Sequence, residues 1–377
     1  MDITRPSPLL GGLTPAQFMK KHWQKKPLLV RQAVPDLQPL LAPRELFALA
    51  QREEVESRLV AREGKAWRLQ RGPFAPRALP STRKPQWTLL VQGVDLHEPA
   101  AHELLHRFDF IPAARLDDLM ISYATDGGGV GPHFDSYDVF LLQAQGRRRW
   151  RIGRQQDLSL QEGVPLKILA RFEPEHEYVL EPGDMLYLPP RYAHDGIAEG
   201  ECQTYSIGFR APAQAELARE LLQRIADEAA EEEGEPHLYR DRSQEATNSP
   251  AAIPAAMVEF ARDAMARALK DPHALERALG AYLTEPKANV WFEGGRAPRR
   301  LQSVELDART RMLHDRRHVF INGEAWRAAG RDATLMRRLA DQRRLDAAEL
   351  AGASDAAREL LQSWCEAGWL HANGGDA

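Results

Sequence analysis

Two side chains that commonly bind metal ions stand two residues apart in the segment GVGPHFDSYDVFLLQAQGRRRW, from Gly129 to Trp150. On an extended strand, residues two apart project from the same face, so His133 and Asp135 can direct an imidazole and a carboxylate at one point, with Tyr137 next. We expect this face to point inward. Most His-x-Asp pairs in a chain with twelve histidines are surface polar residues, so a metal site needs a further ligand.

A third ligand is indicated by the segment EPGDMLYLPPRYAHDG, from Glu181 to Gly196. A glycine turn, a short apolar strand and a rigid proline pair precede His194, and this order resembles the second motif of cupin barrels, whose histidine lines the barrel mouth. Together with His133 and Asp135 it would complete the facial triad of non-haem Fe(II) oxygenases, which leaves positions open for cosubstrate and dioxygen. A zinc site with the same ligands is the competing assignment.

The arginine run at the end of the first segment helps to separate these assignments. Arg148 shares strand parity with Trp150, so if the tryptophan faces inward Arg148 does too, whereas Arg149 faces solvent. An inward guanidinium suits a cosubstrate dicarboxylate, which it can bind through two parallel hydrogen bonds. The alternative is a structural ion pair with Asp138 or Asp184; with the triad present, we favour the cosubstrate role.

The elements that must position these residues are short apolar runs separated by Gly and Pro, at 87–91, 119–123, 139–143, 148–152, 178–180, 185–188 and 204–209. Runs of this length and spacing predict a β-sandwich or barrel, with a turn at Gln143 to Gly146. Ahead of them, Thr14 and Pro15 predict the start of one helix, and a second is expected at about Pro43 to Gln51. The loop Gly127 to Gly131 is expected to let the backbone crowd close to the metal rim.

Long stretches of the chain resemble one family, namely FMKKHWQKKPLLVRQA, GGGVGPHFDSYDVFLLQAQGRRRW and PGDMLYLPPRYAHDG. They are similar to the JmjC-type Fe(II)- and 2-oxoglutarate-dependent oxygenases, and within them to the bacterial ribosomal oxygenases. The resemblance implies an α+β fold: a double-stranded β-helix barrel of the cupin/JmjC type, a helical dimerisation module and a C-terminal winged-helix domain. It also implies Fe(II) on the triad and 2-oxoglutarate on Arg148. Ser206 or Thr204 could also touch the cosubstrate, or be ordinary core hydroxyls.

The activity that this resemblance implies is hydroxylation of a side chain of a large-subunit ribosomal protein, with arginine the usual target in bacterial members. Dioxygen and 2-oxoglutarate are consumed, and succinate and carbon dioxide are released. A buried arginine substrate requires a carboxylate and polar neighbours. Asp126, on the glycine-rich loop before the metal ligands, and Tyr137 are the candidate substrate contacts. In its Thr-Asp-Gly-Gly context Asp126 is equally typical of a turn residue that binds its own backbone.

After Pro212 the apolar residues recur at helical spacing. Helices are predicted at 213–233 and at 257–269. The first contains seven acidic residues and two arginines. Such helices form a homodimer interface in many proteins, and the alternative is that they pack on their own domain.

The last third of the chain carries a hairpin signal, Asn322-Gly323, between helices predicted at about 333–341 and 354–367, a pattern typical of winged helices. Thirteen arginines against six acids give residues 296–344 a net charge of +7, so this region could contact ribosomal RNA. We expect domains at 1–212, 213–272 and 273–377.

Composition narrows the class of protein. At 377 residues and 43% hydrophobic content the chain can bury more than one core, and two cysteines fit a reducing cytosol. We expect a cytoplasmic protein, because the sequence shows no signal peptide and no apolar run long enough for a membrane span. The competing hypothesis to an oxygenase is a transcriptional regulator that joins a ligand-sensing cupin to a DNA-binding winged helix.

Overall fold

The structure, a computed structural model, describes residues 2–64, 66–232 and 237–373, and the chain divides into two compact units, Met1–Ala211 and Pro212–Ala377. The described part of the first unit contains helices α1 (Pro15–Lys21), α2 (Pro43–Leu49) and α3 (Pro99–Leu105). Its strands are β1 (Leu28–Val30), β2 (Ser57–Glu63), β3 (Ala66–Arg71), β4 (Trp87–Val91), β5 (Leu116–Ala124), β6 (Asp138–Gly153), β7 (His176–Leu180), β8 (Met185–Leu188) and β9 (Ala193–Phe209).

These strands form one antiparallel sheet in the order β1-β8-β6-β9-β5-β4-β2-β3, and β7 also pairs with β6. The two longest strands, β6 and β9, pair from Asp138 opposite Phe209 to Gly153 opposite Ala193. One edge of β6 pairs first with β8 and then with β7, so β6 links two parts of the curled sheet. The β6–β9 pair carries most of the candidate site.

The predicted turn at Gln143 to Gly146 is wrong, because β6 is continuous from Asp138 to Gly153. The register with β9 shifts on both sides of Gln145, and Gly146 takes a left-handed φ of 61°. A β-bulge therefore absorbs the residues that indicated a turn, and the strand continues beyond it. The polar hairpin of β2 and β3 was not predicted, because its second strand is largely exposed and lacks an apolar run.

The apolar run beside the metal motif is buried on both faces of β6. Phe140 and Leu142 belong to an aromatic-rich core that includes Phe18. Val139 and Leu141, of opposite parity, pack in a second cluster. A strand covered on both faces reads as a continuous apolar run, which explains why this segment is apolar between charged ends.

The second unit begins with helices α4 (Gln214–Glu232), α5 (Ala255–Ala268) and α6 (Ala274–Thr284). It continues with strands β10 (Ser303–Leu306), β11 (Met312–His314), β12 (His318–Ile321) and β13 (Glu324–Arg327), helix α7 (Gly330–Gln342), strand β14 (Arg344–Leu345), helices α8 (Ala347–Leu350) and α9 (Asp355–Glu366), and strand β15 (Leu370–Asn373). Glu233, the last residue of the first predicted helix in this unit, and residues 374–377 lie outside the described residues.

The predicted hairpin is present, with Asn322 and Gly323 at φ values of 48° and 92° between β12 and β13. Helix α6, which was not predicted, packs so closely on this hairpin that a Cβ at Gly280 would lie 2.3 Å from the Phe320 ring. Because α6 also contacts α4, the predicted boundary between 272 and 273 falls inside one compact unit. Within the described residues, no helix is long and apolar enough to cross a membrane.

Candidate metal centre and cosubstrate pocket

His133 and His194 face each other across a short antiparallel bridge. The backbone N–H of His133 donates to the His194 carbonyl at 3.0 Å, and that of His194 donates back at 2.8 Å. On its other side His194 is paired with Ile152 of β6. The two imidazole rings are 4.2 Å apart between centres, so residues distant in sequence present their side chains together.

Backbone carbonyls orient the imidazole rings of both histidines in the same way. Nδ1 of His133 contacts the carbonyl of Gly131 at 2.9 Å, and Nδ1 of His194 contacts that of Tyr192 at 3.0 Å. Since a carbonyl only accepts, each Nδ1 donates its proton to the backbone, and Nε2 is the nitrogen of each ring that is left for a metal ion. The backbone thereby orients both imidazoles for metal binding.

The carboxylate of Asp135 completes the group. Its Oδ2 atom lies 3.8 Å from Nε2 of His133 and 3.6 Å from Nε2 of His194, and the three ligand atoms lie within 4.8 Å of one another. Ligands about 2.1 Å from one ion and at right angles lie about 3.0 Å apart, so a small rotation of the Asp135 side chain would bring its carboxylate to an ion shared with the imidazoles. Burial, reinforced by the charge of His133, lowers the pKa of His194 to about 4, so this ligand is neutral at pH 7. The donor set fits a divalent metal with open coordination positions.

The strand expected through these ligands is shorter than predicted. Only His133 forms a bridge, and the chain bends at Ser136 and Tyr137 before β6 begins. The bend interrupts the two-residue alternation, so Tyr137 does not share an inward strand face with Asp135, and its side chain is exposed. Asp138 begins β6 as a fully buried carboxylate that Arg115 and Tyr187 bind.

Arg148 lies on the inward face of β6, as strand parity predicted, and is 3% exposed. One terminal nitrogen donates to Ser122 Oγ at 2.8 Å and to Thr204 Oγ1 at 3.4 Å, and the other donates to the Gly196 carbonyl at 3.3 Å. The guanidinium also lies 5.2 Å from the centre of the Trp150 ring. Burial lowers the pKa of Arg148, although an arginine stays protonated in proteins.

Arg148 has no carboxylate within ion-pair distance among the described residues. Asp138 pairs with Arg115, and Asp184 pairs with Arg31 at 2.6 Å, so the two carboxylates considered for a structural ion pair are engaged elsewhere. A buried charge without a counter-charge is strongly unfavourable. The Nε atom of Arg148 and the indole nitrogen of Trp150 are buried donors with no acceptor in the described part of the chain. These donors fit a bound carboxylate of a dicarboxylic acid.

The bulge in β6 supports this pocket. The Gln143 amide nitrogen donates to the Gln145 carbonyl at 2.8 Å, while its oxygen accepts from the Thr204 hydroxyl at 2.8 Å. Thr204 can therefore accept from Arg148. Ser206 lies two residues farther along β9, opposite Leu141, so the structure brings Thr204 to the guanidinium instead.

Ser122 was missed by the sequence analysis. It lies on β5 opposite Thr204, and its polar side chain is buried. The available signal was a single serine within the apolar run of residues 119–123, which a buried strand tolerates only where the hydroxyl has a partner.

Two glycines let the chain close around the pocket. A Cβ at Gly129 would lie 2.5 Å from the Gly196 carbonyl oxygen, and one at Gly196 would lie 2.6 Å from the Trp150 ring. The glycine-rich loop therefore approaches β9 at the residue that binds Arg148, in agreement with the predicted crowding.

Asp126 lies on this loop and is exposed. Its Oδ1 atom accepts from the backbone N–H of Gly200 at 2.8 Å, and its carbonyl accepts from Gln86. The side chain thus ties the loop to β9 through one carboxylate oxygen. Of the outward arginines, Arg149 pairs with Glu177 and Glu199, as expected for the opposite strand face.

Comparisons with known proteins agree with this architecture. Residues 103–217 match the JmjC domain model, and residues 267–371 match the ROXA-like winged helix model. The Ribosomal protein uL16 3-hydroxylase of Escherichia coli is 36% identical over 274 residues, which are 72% of this chain and 71% of that protein. The Probable ribosomal oxygenase of Haemophilus influenzae is 39% identical over 205 residues, 53% of this chain and 50% of that protein.

Solved structures extend the likeness over both units. An X-ray structure of E. coli YcfD superposes with a TM-score of 0.82 and 30% identity, covering 96% of this chain and 98% of that chain. A structure of YcfD, described as a ribosomal oxygenase in complex with cobalt and 2-oxoglutarate, gives a TM-score of 0.78 at 29% identity over 96% of this chain and 99% of that one. The predicted barrel and winged helix are confirmed, and the chain belongs to the JmjC-type ribosomal oxygenase family.

Proposed function

We propose that this chain is an Fe(II)- and 2-oxoglutarate-dependent hydroxylase that acts on an arginine side chain of a large-subunit ribosomal protein. One observation carries the proposal. A two-histidine, one-carboxylate group is joined to β9 through His194, and the paired strand β6 carries Arg148, a buried guanidinium that lacks a carboxylate partner among the described residues. A metal that accepts a keto acid and a positive charge that accepts its far carboxylate are what 2-oxoglutarate requires.

His133, Asp135 and His194 would hold Fe(II). When bound with 2-oxoglutarate, this ion supplies the activation of dioxygen that couples decarboxylation of the cosubstrate to hydroxylation of a carbon. The backbone carbonyls on the two Nδ1 atoms keep the imidazoles turned toward the metal. The exposed Asp135 carboxylate leaves one side of the centre open to substrate.

Arg148 would bind the far carboxylate of 2-oxoglutarate. Ser122 and Thr204 hold the guanidinium in place, and its Nε and the indole N–H of Trp150, which have no acceptor among the described residues, add two buried donors. Ser206, farther along the same face of β9, remains a candidate contact with the cosubstrate.

The proposed protein substrate is uL16, since the 36% identical relative is a uL16 hydroxylase. A substrate arginine needs an anionic partner near the metal. We propose Asp126 for this role, through the carboxylate oxygen that does not bind Gly200, and Tyr137 as a second candidate contact with the substrate.

We also propose a homodimer formed through the first helices of the second unit. Helix α5 has no buried residue in the described structure, and Met257, Val258 and Met265 are exposed on it, as is Leu222 on α4. Uncovered apolar side chains of this kind favour association. Light scattering should give twice the chain mass at micromolar concentration, and a single-chain mass would contradict the proposal.

Contact with ribosomal RNA through residues 296–344 is a further proposal. Part of the positive charge there is neutralised, because Arg309 pairs with Asp307 and Arg338 pairs with Glu349. RNA binding that weakens steeply with salt would support the contact.

The decisive experiment for the activity is intact mass analysis of ribosomal proteins from cells with and without this gene. We expect one added oxygen on one large-subunit protein, located on an arginine by peptide fragmentation, and none when the gene carries Arg148→Ala. Arg149→Ala is the matched control, because that side chain faces outward in the same strand. Identical masses in all strains would contradict the proposal, and tight sequence-specific duplex binding would favour the regulator.

A further inference from the structure

A second pair of histidines lies outside the candidate metal centre, on α3 and the single 3-10 turn that follows it, His106–Phe108. His102 and His106 are four residues apart, so they lie on the same side of the helical segment. Their Nε2 atoms are 3.1 Å apart, and their ring centres are 4.5 Å apart at an interplanar angle of 66°. Two rings that met end to end through these nitrogens would have more widely separated centres. The two ring planes are therefore tilted, so that both Nε2 atoms point to the same side.

Asp109 orients one of the two rings. Its carboxylate oxygens lie 3.0 and 3.1 Å from Nδ1 of His106. A carboxylate on Nδ1 holds the proton there, so Nε2 of His106 accepts a hydrogen bond from Nε2–H of His102, and a bound ion would take the place of that proton. Metal-binding histidines in proteins show the same arrangement of carboxylate, imidazole and ion.

We propose that His102 and His106 form a second binding site for a divalent transition-metal ion such as Zn²⁺, Ni²⁺ or Cu²⁺. Two nitrogen ligands about 2.0–2.1 Å from one ion, at angles between square and tetrahedral, lie about 2.9–3.4 Å apart. The observed 3.1 Å falls in this range. Both histidines are partly exposed, so an ion has access and water can fill its other positions.

The chemistry of the pair sets its selectivity. Imidazole ligands favour copper, nickel and zinc over magnesium and calcium, which prefer oxygen, and the affinity order should place Cu²⁺ first. The bound ion would link α3 to the following turn. It should therefore raise the thermal unfolding midpoint of the protein, because a ligand that binds only the folded state stabilises it.

The test is a titration of the full, tag-free chain carrying His133→Ala and Asp135→Ala, so that the first centre does not compete. We expect one Cu²⁺ per chain by calorimetry, with two nitrogen ligands in the copper electron paramagnetic resonance spectrum. His102→Gln and His106→Gln should each abolish this binding. Asp109→Asn should weaken it about 10- to 100-fold, as loss of an outer partner does. His176→Gln, an exposed histidine of β7, is the matched control and should leave it unchanged.

Equal copper binding in His102→Gln, His106→Gln and the parent would overturn the proposal. So would a spectrum with a single nitrogen ligand in the parent. Circular dichroism of each variant checks that the chain remains folded, and a zinc-induced rise in the unfolding midpoint of the His133→Ala/Asp135→Ala chain, absent when His102→Gln is added, gives an independent readout. The proposal stands apart from the hydroxylase activity, since every measurement concerns metal binding alone.

Discussion

The metal end and the cosubstrate end of the candidate site are connected through two paired strands, β9 with His194 and β6 with Arg148, but the two ends hold charge in opposite ways. At the metal end, Asp135 keeps 44% of its side chain exposed, and backbone carbonyls fix both imidazoles. At the cosubstrate end, Arg148 is buried against hydroxyls, a carbonyl and an indole. The metal end thus brings its three candidate ligands together, whereas the cosubstrate end holds a buried charge that has no carboxylate within ion-pair distance among the described residues and that a bound anion would neutralise. Substitutions at the metal end and at the cosubstrate end should therefore impair activity in different ways.

The largest effect is expected from Asp135→Ala. Removal of one of three protein ligands leaves too few to hold a labile ferrous ion, so turnover should fall by more than the roughly 100-fold that loss of an outer-shell partner causes. Succinate release and iron content after dialysis measure the effect, and His133→Ala and His194→Ala should behave alike. Retained activity in Asp135→Ala would contradict this ligand set.

Arg148→Ala should act on the cosubstrate and spare the metal. Loss of two charge-assisted hydrogen bonds, together about 3 kcal/mol, corresponds to a rise of about 100-fold in the apparent KM for 2-oxoglutarate. Iron or cobalt binding should stay near one ion per chain. Arg149→Ala, of opposite parity, should change KM little, and equal effects of the two substitutions would show that the inward face has been misassigned.

Asp126→Ala distinguishes substrate binding from loop anchoring. If the carboxylate binds the substrate arginine, hydroxylation of a uL16 peptide should fall about 10-fold, the low end for a hydrogen bond to a charged group at an exposed position. Consumption of 2-oxoglutarate without peptide should remain nearly constant. Equal loss of both activities would mean that the bond to Gly200 shapes the metal rim, and Asp126→Asn, which can keep that bond, should then restore both.

The sequence predicted the parts of this site that depend on local alternation. Arg148 and Trp150 share the inward face because a regular strand dictates it, and the hairpin at Asn322 follows from its turn residues. Long-range pairing was not accessible in this way. Ser122 reaches Arg148 only because β5 lies beside β9, and Tyr137 leaves the inward face because a bend intervenes before β6.

The bulge in β6 shows why boundaries are harder to predict than faces. Gln143 to Gly146 has the composition of a turn, yet its side-chain and backbone groups find partners in β9 and in the bulge itself. The partners lie in a strand about sixty residues later in the chain. The local residue preferences therefore predicted that the strand ends here, whereas pairing with β9 keeps the chain extended.

The last effect concerns stability and its dependence on pH, and it separates the two ends by the titration of one residue. Burial, with help from His133, lowers the pKa of His194 from 6.5 to about 4, whereas Arg148 keeps its proton throughout. Between these two pH values the unfolded chain binds a proton at His194 that the folded chain does not. The stability that neutral His194 contributes is therefore full above pH 6.5 and is lost as pH falls toward 4, by at most about 1.4 kcal/mol per pH unit.

Urea unfolding of the metal-free protein at pH 7, 6 and 5 measures this loss, with His194→Gln as the reference because glutamine does not titrate. The free energy of unfolding of the unmodified chain should fall relative to that of the variant at each step toward acid. Arg148→Gln should give a curve parallel to that of the unmodified chain over the same range, since both side chains at this position keep a constant charge. If the curves of the unmodified chain and His194→Gln are parallel as well, the buried imidazole is not held in its neutral form by the fold, and the metal end is less prepared for its ion than its geometry indicates.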